Sequence, residues 1–158
     1  MNILRKALKM LEKYPLCDHC LGRQFALLGY GMENDERGNA IKRVLTLKAH
    51  TLALSRNKES VKILKILASK GFSKEAEEIL HKMKRRIPRR RLPKTCFLCE
   101  DKFKIVDELA ERAIKKLGDY EFNNFLVGIE LPVAIEERED EFKAEFGVNY
   151  GENMRNEF

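Results

Sequence analysis

Apolar residues recur along most of this chain at helical spacing. Leu4, Leu8 and Leu11 stand at i, i+4 and i+7, which predicts a first helix that Tyr14-Pro15 ends. Leu21 to Leu28 predict a short second helix stopped by Gly29 and Gly31. Asn34 is placed as the N-cap of a third, with Asp35 and Glu36 in its first turn where the helix dipole favours acids, running to about Arg56. Residues 59–87 read as a helical hairpin. Its first arm carries Val61, Ile63, Leu64, Ile66 and Leu67, Gly71 holds the C′ position, and Ser73 caps a second arm carrying Ala76, Ile79, Leu80 and Met83. Val106, Leu109, Ala110, Ala113, Ile114 and Leu117 draw the stripe of a last clear helix, closed by Gly118. These stripes have the character of core-forming faces.

The pattern changes after residue 118. Phe125-Leu126-Val127-Gly128-Ile129-Glu130-Leu131 is apolar on nearly both faces and is followed by Pro132, which predicts a buried strand. Glu136 to Glu141 form an acidic stretch, expected to be helical with a thin seam of Ile135, Phe142 and Phe146. The expected fold class is therefore α+β: mainly α with a small β element. A helical domain over 1–118 leads into a second, incomplete α/β unit over 119–158. A single apolar strand needs partners at its edges and faces, so the chain is expected to be cut short.

Four cysteines change this picture. They fall as two Cys-x-x-Cys knuckles, Cys17-Asp18-His19-Cys20 and Cys96-Phe97-Leu98-Cys99, and account for every cysteine present. Each knuckle offers two sulfurs on one tight turn, the delivery that a tetrahedral Zn²⁺ site uses. We expect a structural Cys₄ zinc that ties the N-terminal segment to the middle of the chain. Four thiolates close the tetrahedron and leave no position for a water, so the ion stabilises rather than catalyses. His19 lies between two ligands and is the alternative donor. Disulfides suit secreted chains, and Met1 to Lys6 do not open a signal peptide. Intracellular disulfides of hyperthermophiles are the exception to weigh, given 35% charged residues, one Gln and no Trp. His50 and His81 have no metal-ligand spacing.

Charge divides the chain in two. Residues 1–118 carry 28 Lys/Arg against 14 Asp/Glu, a balance of +14, whereas residues 119–158 carry 3 against 11, a balance of −8. Cations peak in Lys82 to Lys94, where eight of thirteen residues are basic and Pro88 and Pro93 forbid a continuous helix. A solvated linker or a nuclear-localisation signal would fit the same letters. The planar forks of Arg85, Arg86, Arg89, Arg90 and Arg91, with Lys94, suit phosphate oxygens better, and the run feeds directly into Cys96. Arg23 and Arg37 add candidate contacts at helix starts; their alternatives are an exposed helix surface and an intrahelical pair with Glu33 or Glu36. No apolar run approaches the roughly 18 residues of a membrane span.

Several stretches in order resemble one known family. They are Leu16-Cys17-Asp18-His19-Cys20-Leu21-Gly22-Arg23-Gln24-Phe25-Ala26, then Asn34-Asp35-Glu36-Arg37-Gly38 with Ala40-Ile41-Lys42, then Cys96-Phe97-Leu98-Cys99. Phe125-Leu126-Val127-Gly128, Glu137-Arg138-Glu139-Asp140-Glu141-Phe142 and Glu145-Phe146-Gly147 complete the set. The resemblance is to the N-terminal region of the archaeal and eukaryotic tRNA pseudouridine synthases that modify T-arm uridines at positions 54 and 55. It implies a structural zinc on Cys17, Cys20, Cys96 and Cys99, and places Phe125 to Phe158 at the start of a THUMP module that helps bind tRNA. Family members use a catalytic aspartate in a further domain. None of the 25 carboxylates here lies in a stretch matching that motif.

The function expected is thus a cytoplasmic, tRNA-binding accessory region of such an isomerase, catalytically silent by itself, with no small-molecule substrate and no membrane partner. The alternative is a zinc-stapled helical scaffold whose partner is a protein. An independent enzyme would need a nucleophile, base or open metal, and none has supporting spacing.

Overall fold

The computed structural model describes residues 3–26, 31–53, 58–85, 95–117 and 131–148, without the side chains of 52–53 and 113–117. Helix α1 (Ile3–Lys13) forms the centre of the core. Ile3, Ala7, Met10 and Leu11 are completely buried, and Leu4 nearly so. Leu8 sits on the shoulder of that stripe, half-buried. Helix α2 (Asp18–Gln24) starts inside the first knuckle, three residues before the predicted position, because Cys17 caps it and its sulfur accepts from the Cys20 N–H. Helix α3 (Asn34–Ala53) lies along α2 and α1 and contributes Ile41, Leu45 and Ala49.

Helices α4 (Lys58–Ser69) and α5 (Lys74–Lys82) form the expected hairpin. Ser73 caps α5, its hydroxyl accepting from the Ala76 N–H at 3.2 Å. Gly71 acts differently from the prediction. The left-handed residue of the turn is Phe72 (φ 52°), whereas a Cβ on Gly71 would lie 2.7 Å from the Leu67 carbonyl oxygen. The glycine is needed for closeness rather than for φ. The same turn anchors the first knuckle, since the Leu16 N–H donates to the Lys70 carbonyl at 2.9 Å.

Helix α6 (Phe97–Leu117) leaves the second knuckle, and α7 (Leu131–Glu145) packs on it. Ile105 and Leu109 meet Leu131 and Ala134 in a small apolar cluster. Arg138 Nε lies 3.2 Å from the Asp101 carboxylate. Phe142 and Val148 join the main core beside α1. Gly147 (φ 69°) ends α7 with its N–H on the Ala144 carbonyl, while Val148 N–H reaches back to Lys143 at 2.9 Å. That pair of bonds is a Schellman cap with its apolar C″ residue buried. Lys6 Nζ then donates to the Gly147 carbonyl at 2.7 Å, locking the two ends of the described chain together.

The expected α+β class is corrected by this structure. Every described element is a helix, and no strand occurs among the described residues. Of the predicted strand, residues 125–130 lie outside the described residues, and Leu131 opens α7 instead of ending a strand. Pro132 explains the misreading. A proline lacks an N–H and so suits a helix's first turn, where that donor has no partner, as well as it suits the end of a strand.

Candidate metal centre and its supports

The four cysteines converge. Cys20 and Cys96 are buried, Cys17 and Cys99 half-buried, and all four sulfurs lie within 4.8 Å of one another. Cys20 Sγ stands 3.5 Å from Cys99 Sγ, and Cys17 Sγ stands 4.0 Å from it. A tetrahedral ion with metal–sulfur bonds of ~2.3 Å holds its sulfurs about 3.8 Å apart, which these distances bracket. A disulfide would need about 2.05 Å, and all four thiols are free. The donor set therefore fits one soft tetrahedral cation.

Electrostatics favour a cation too. Hydrogen bonds from the Cys17 and Cys20 thiols hold the Cys96 thiol well below its ordinary range. Cys20 is pushed up, first by its bond with Cys17. Burial drives Cys99 up to about 11. Such crowding opposes the gathering of several thiolates, and a divalent ion removes the restriction.

The first knuckle is held by α3. Lys42, almost fully buried, places its Nζ 2.7 Å from the Asp18 carboxylate and 2.9 Å from the Leu16 carbonyl oxygen. Gly22 and Gly38 let the two backbones touch. A Cβ on Gly22 would fall 1.9 Å from the Asn34 carbonyl oxygen, and one on Gly38 would fall 1.8 Å from that of Asp18. His19 is exposed and pairs its Nδ1 with Asp35 at 2.7 Å, facing away from the sulfurs' role.

The second knuckle is held by the segment preceding the first. Phe97 N–H donates to the Pro15 carbonyl at 2.7 Å, and the Phe97 ring stacks on Tyr14 with centroids 4.1 Å apart. Phe142 and Phe146 of the α7 end pack around the same pair. Tyr14 and Lys13 also reach the Glu145 carboxylate. An aromatic box thus closes over the base of both knuckles.

The residues expected to meet phosphate are distributed. Arg85 is exposed just after α5; Arg86, Arg89, Arg90, Arg91 and Lys94 lie outside the described residues. Arg23, half-exposed, pairs its Nε with Glu139 at 2.7 Å. Arg37 is buried. Its guanidinium donates to the carbonyl oxygens of Gly22 (3.0 Å) and Met32 (2.9 Å) and to Asn34 Oδ1 (2.8 Å), and burial lowers its pKa. It clamps the α2–α3 connection. Sequence reasoning missed Lys42, Glu139 and the Gly22–Gly38 crossing. The glycines did leave a signal: each costs roughly 1 kcal/mol against alanine inside a helix, so a retained one points to close backbone packing. A buried lysine leaves none. Among the described residues no helix is long and apolar enough to cross a membrane.

Known proteins are similar to this chain in sequence. The profile of the archaeal Pus10 THUMP domain matches residues 109–158, beginning inside α6. A tRNA pseudouridine synthase Pus10 of Thermofilum pendens is 38% identical over 148 residues, covering 94% of this chain and 32% of the relative. Those of Acidilobus saccharovorans (36% identical; 97% of this chain, 37% of the relative) and Ignisphaera aggregans (37% identical; 99% and 36%) align equally fully. The chain spans about a third of the length of these curated relatives. No solved structure matches. Along nearly all of its own length, the chain is thus related to the Pus10 family of tRNA pseudouridine synthases.

Proposed function

We propose that this chain is a tRNA-binding accessory region of a tRNA pseudouridine synthase that isomerises T-arm uridines at positions 54/55, and that it is catalytically silent by itself. The observation that carries the reading is the alignment of nearly the whole chain with Pus10 synthases. In this reading Cys17, Cys20, Cys96 and Cys99 hold a structural Zn²⁺, supported by sulfur spacings that bracket the tetrahedral value. Residues 1–118 are the zinc-holding part and 119–158 the start of the tRNA-binding module, a division supported by the reversal of charge between them. The working compartment is the cytoplasm.

RNA affinity then comes from phosphate contacts of Arg85, Arg86, Arg89, Arg90, Arg91 and Lys94, with Arg23 added from α2. An A-form stem hides its base edges, so these contacts follow tRNA shape. The test is the affinity of the zinc-loaded chain for folded tRNA across a salt series, with an RNA duplex as competitor. A steep slope with tRNA preferred is expected. Replacing the five arginines with serine should flatten the slope by roughly one unit for each residue that meets a phosphate. An unchanged slope removes the cluster from the reading, and equal affinity for duplex and tRNA reduces the chain to a polycation.

A further inference from the structure

A cleft of about 630 Å³ opens between the end of α2, the start of α6 and one face of α7. Its size falls in the range of small-ligand sites, roughly 300–1,000 Å³. The chemistry of its wall is divided. Leu131, Pro132 and Ile135 are its apolar lining; Arg23, Lys102 and Glu139 are its polar lining. Glu139 is the unusual member, because its side chain is only 6% exposed. Oε2 accepts from Arg23 Nε at 2.7 Å, whereas Lys102 Nζ stands 3.1 Å from Oε1, off the line of a hydrogen bond.

A carboxylate buried this deeply is costly unless it is paired. Here it holds two cations side by side at the cleft wall. Arg23 commits only Nε to Glu139, and its terminal nitrogens have no partner among the described residues. Those nitrogens are the fork that binds phosphate oxygens. Lys143 and Glu136 also line the cleft. Cations suited to phosphate and apolar side chains lining one cleft match the mixed chemistry of a nucleotide.

We propose that this cleft seats one unpaired nucleotide of a bound RNA, its phosphate on Arg23 and Lys102 and its base against Leu131, Pro132 and Ile135. Glu139 is a positioning residue that sets the spacing of the two cations. The proposal rests on the RNA-binding reading and deepens it. A splayed-out base packed on side chains is the ordinary way in which proteins read unpaired RNA.

The probe is adenosine 5′-monophosphate, titrated into the zinc-loaded chain and compared with inorganic phosphate and with adenosine. The nucleotide should bind at least tenfold tighter than either half. Arg23→Gln and Lys102→Met should each weaken it at least tenfold, with melting temperatures confirming that the variants fold. Glu139→Gln should weaken the nucleotide while leaving adenosine alone unchanged. The five-serine variant of the arginine run should leave nucleotide binding intact while it flattens the tRNA salt slope. A nucleotide held no more tightly than phosphate, or unaffected by Arg23→Gln, overturns the cleft site; steep tRNA binding in the same preparations would leave the broader reading standing. Nucleotide binding without any tRNA binding would overturn RNA as the source.

Discussion

Gly38 sits where α2 crosses α3, and its missing side chain decides how near the knuckle can come. Replacing a helix-interior glycine with alanine ordinarily stabilises by roughly 1 kcal/mol. At Gly38 the added Cβ would meet a backbone oxygen at 1.8 Å, and forced repacking of this kind costs about 1–3 kcal/mol. Gly38→Ala is therefore expected to lower stability in urea denaturation of the zinc-loaded chain; a gain would show that the crossing is not close. Lys42→Met tests the other support. It strips Leu16 and Asp18 of their shared donor, and loss of such outer contacts weakens metal affinity about 10–100-fold. Competition with a chromophoric chelator measures this. Cys99 gives a pH signature. Its folded pKa of about 11 lies above the ordinary thiol value of 9.0, so the folded metal-free chain binds the extra proton. That stability is complete below pH 9 and is lost as pH rises toward 11, whereas zinc affinity, which needs thiolates, rises with pH over the same interval. Denaturation of the chelated chain at pH 8 and pH 10.5 reads the first trend. The convergence of the four cysteines was legible in the sequence because their spacing carries it. Lys42 and Glu139 were not, since a buried charge resembles any surface charge until its partners from distant segments are known.

Among the elements, α7 depends most on the rest of the chain. Its sequence is acidic with a thin apolar seam, and Phe142, 5% exposed, fixes it to the core. Phe142→Ala should cost about 3–5 kcal/mol by urea denaturation. Pro132→Ala should change stability by less than about 0.5 kcal/mol, because a first-turn proline gives up no hydrogen bond. A large loss there would mean that Pro132 does more than open the helix. The helices with full stripes, α1, α4 and the start of α5, were legible within a residue or two, whereas α5 ends at Lys82, short of the expected 87. The start of α2 was hidden because the cap is a cysteine sulfur, a residue type that propensity does not associate with caps. In α6 the stripe centred on Val106 and Leu109 misses Ile105, which packs against α7 and so depends on a neighbour outside its own periodicity.

For the whole molecule, an ion held by the sulfur cluster would cross-link segments 79 residues apart. On the chain-entropy account, closing a loop of that length removes roughly 4.5 kcal/mol of unfolded-state freedom. A domain's net stability is of the order of 5–15 kcal/mol, so the cluster governs much of it. Stripping the zinc-loaded chain with a chelator is expected to reduce helical ellipticity and lower the melting temperature by more than about 10 °C. An unchanged melt would separate the cluster from folding. The α+β expectation failed at this same scale, since its strand rested on a local apolar run ended by Pro132, whereas Leu131 is claimed by contacts with α6. The distance along the chain between the knuckles has one more consequence, which concerns time. A ribosome adding about 5–20 residues per second presents Cys17 and Cys20 some 4–16 s before Cys99 follows. During that interval the leading pair of thiols has no partners, and α1 waits for Phe142 and Gly147 to cover it. In the proposed reading, zinc supply and freedom from oxidants are thus needed most while the protein is still being made.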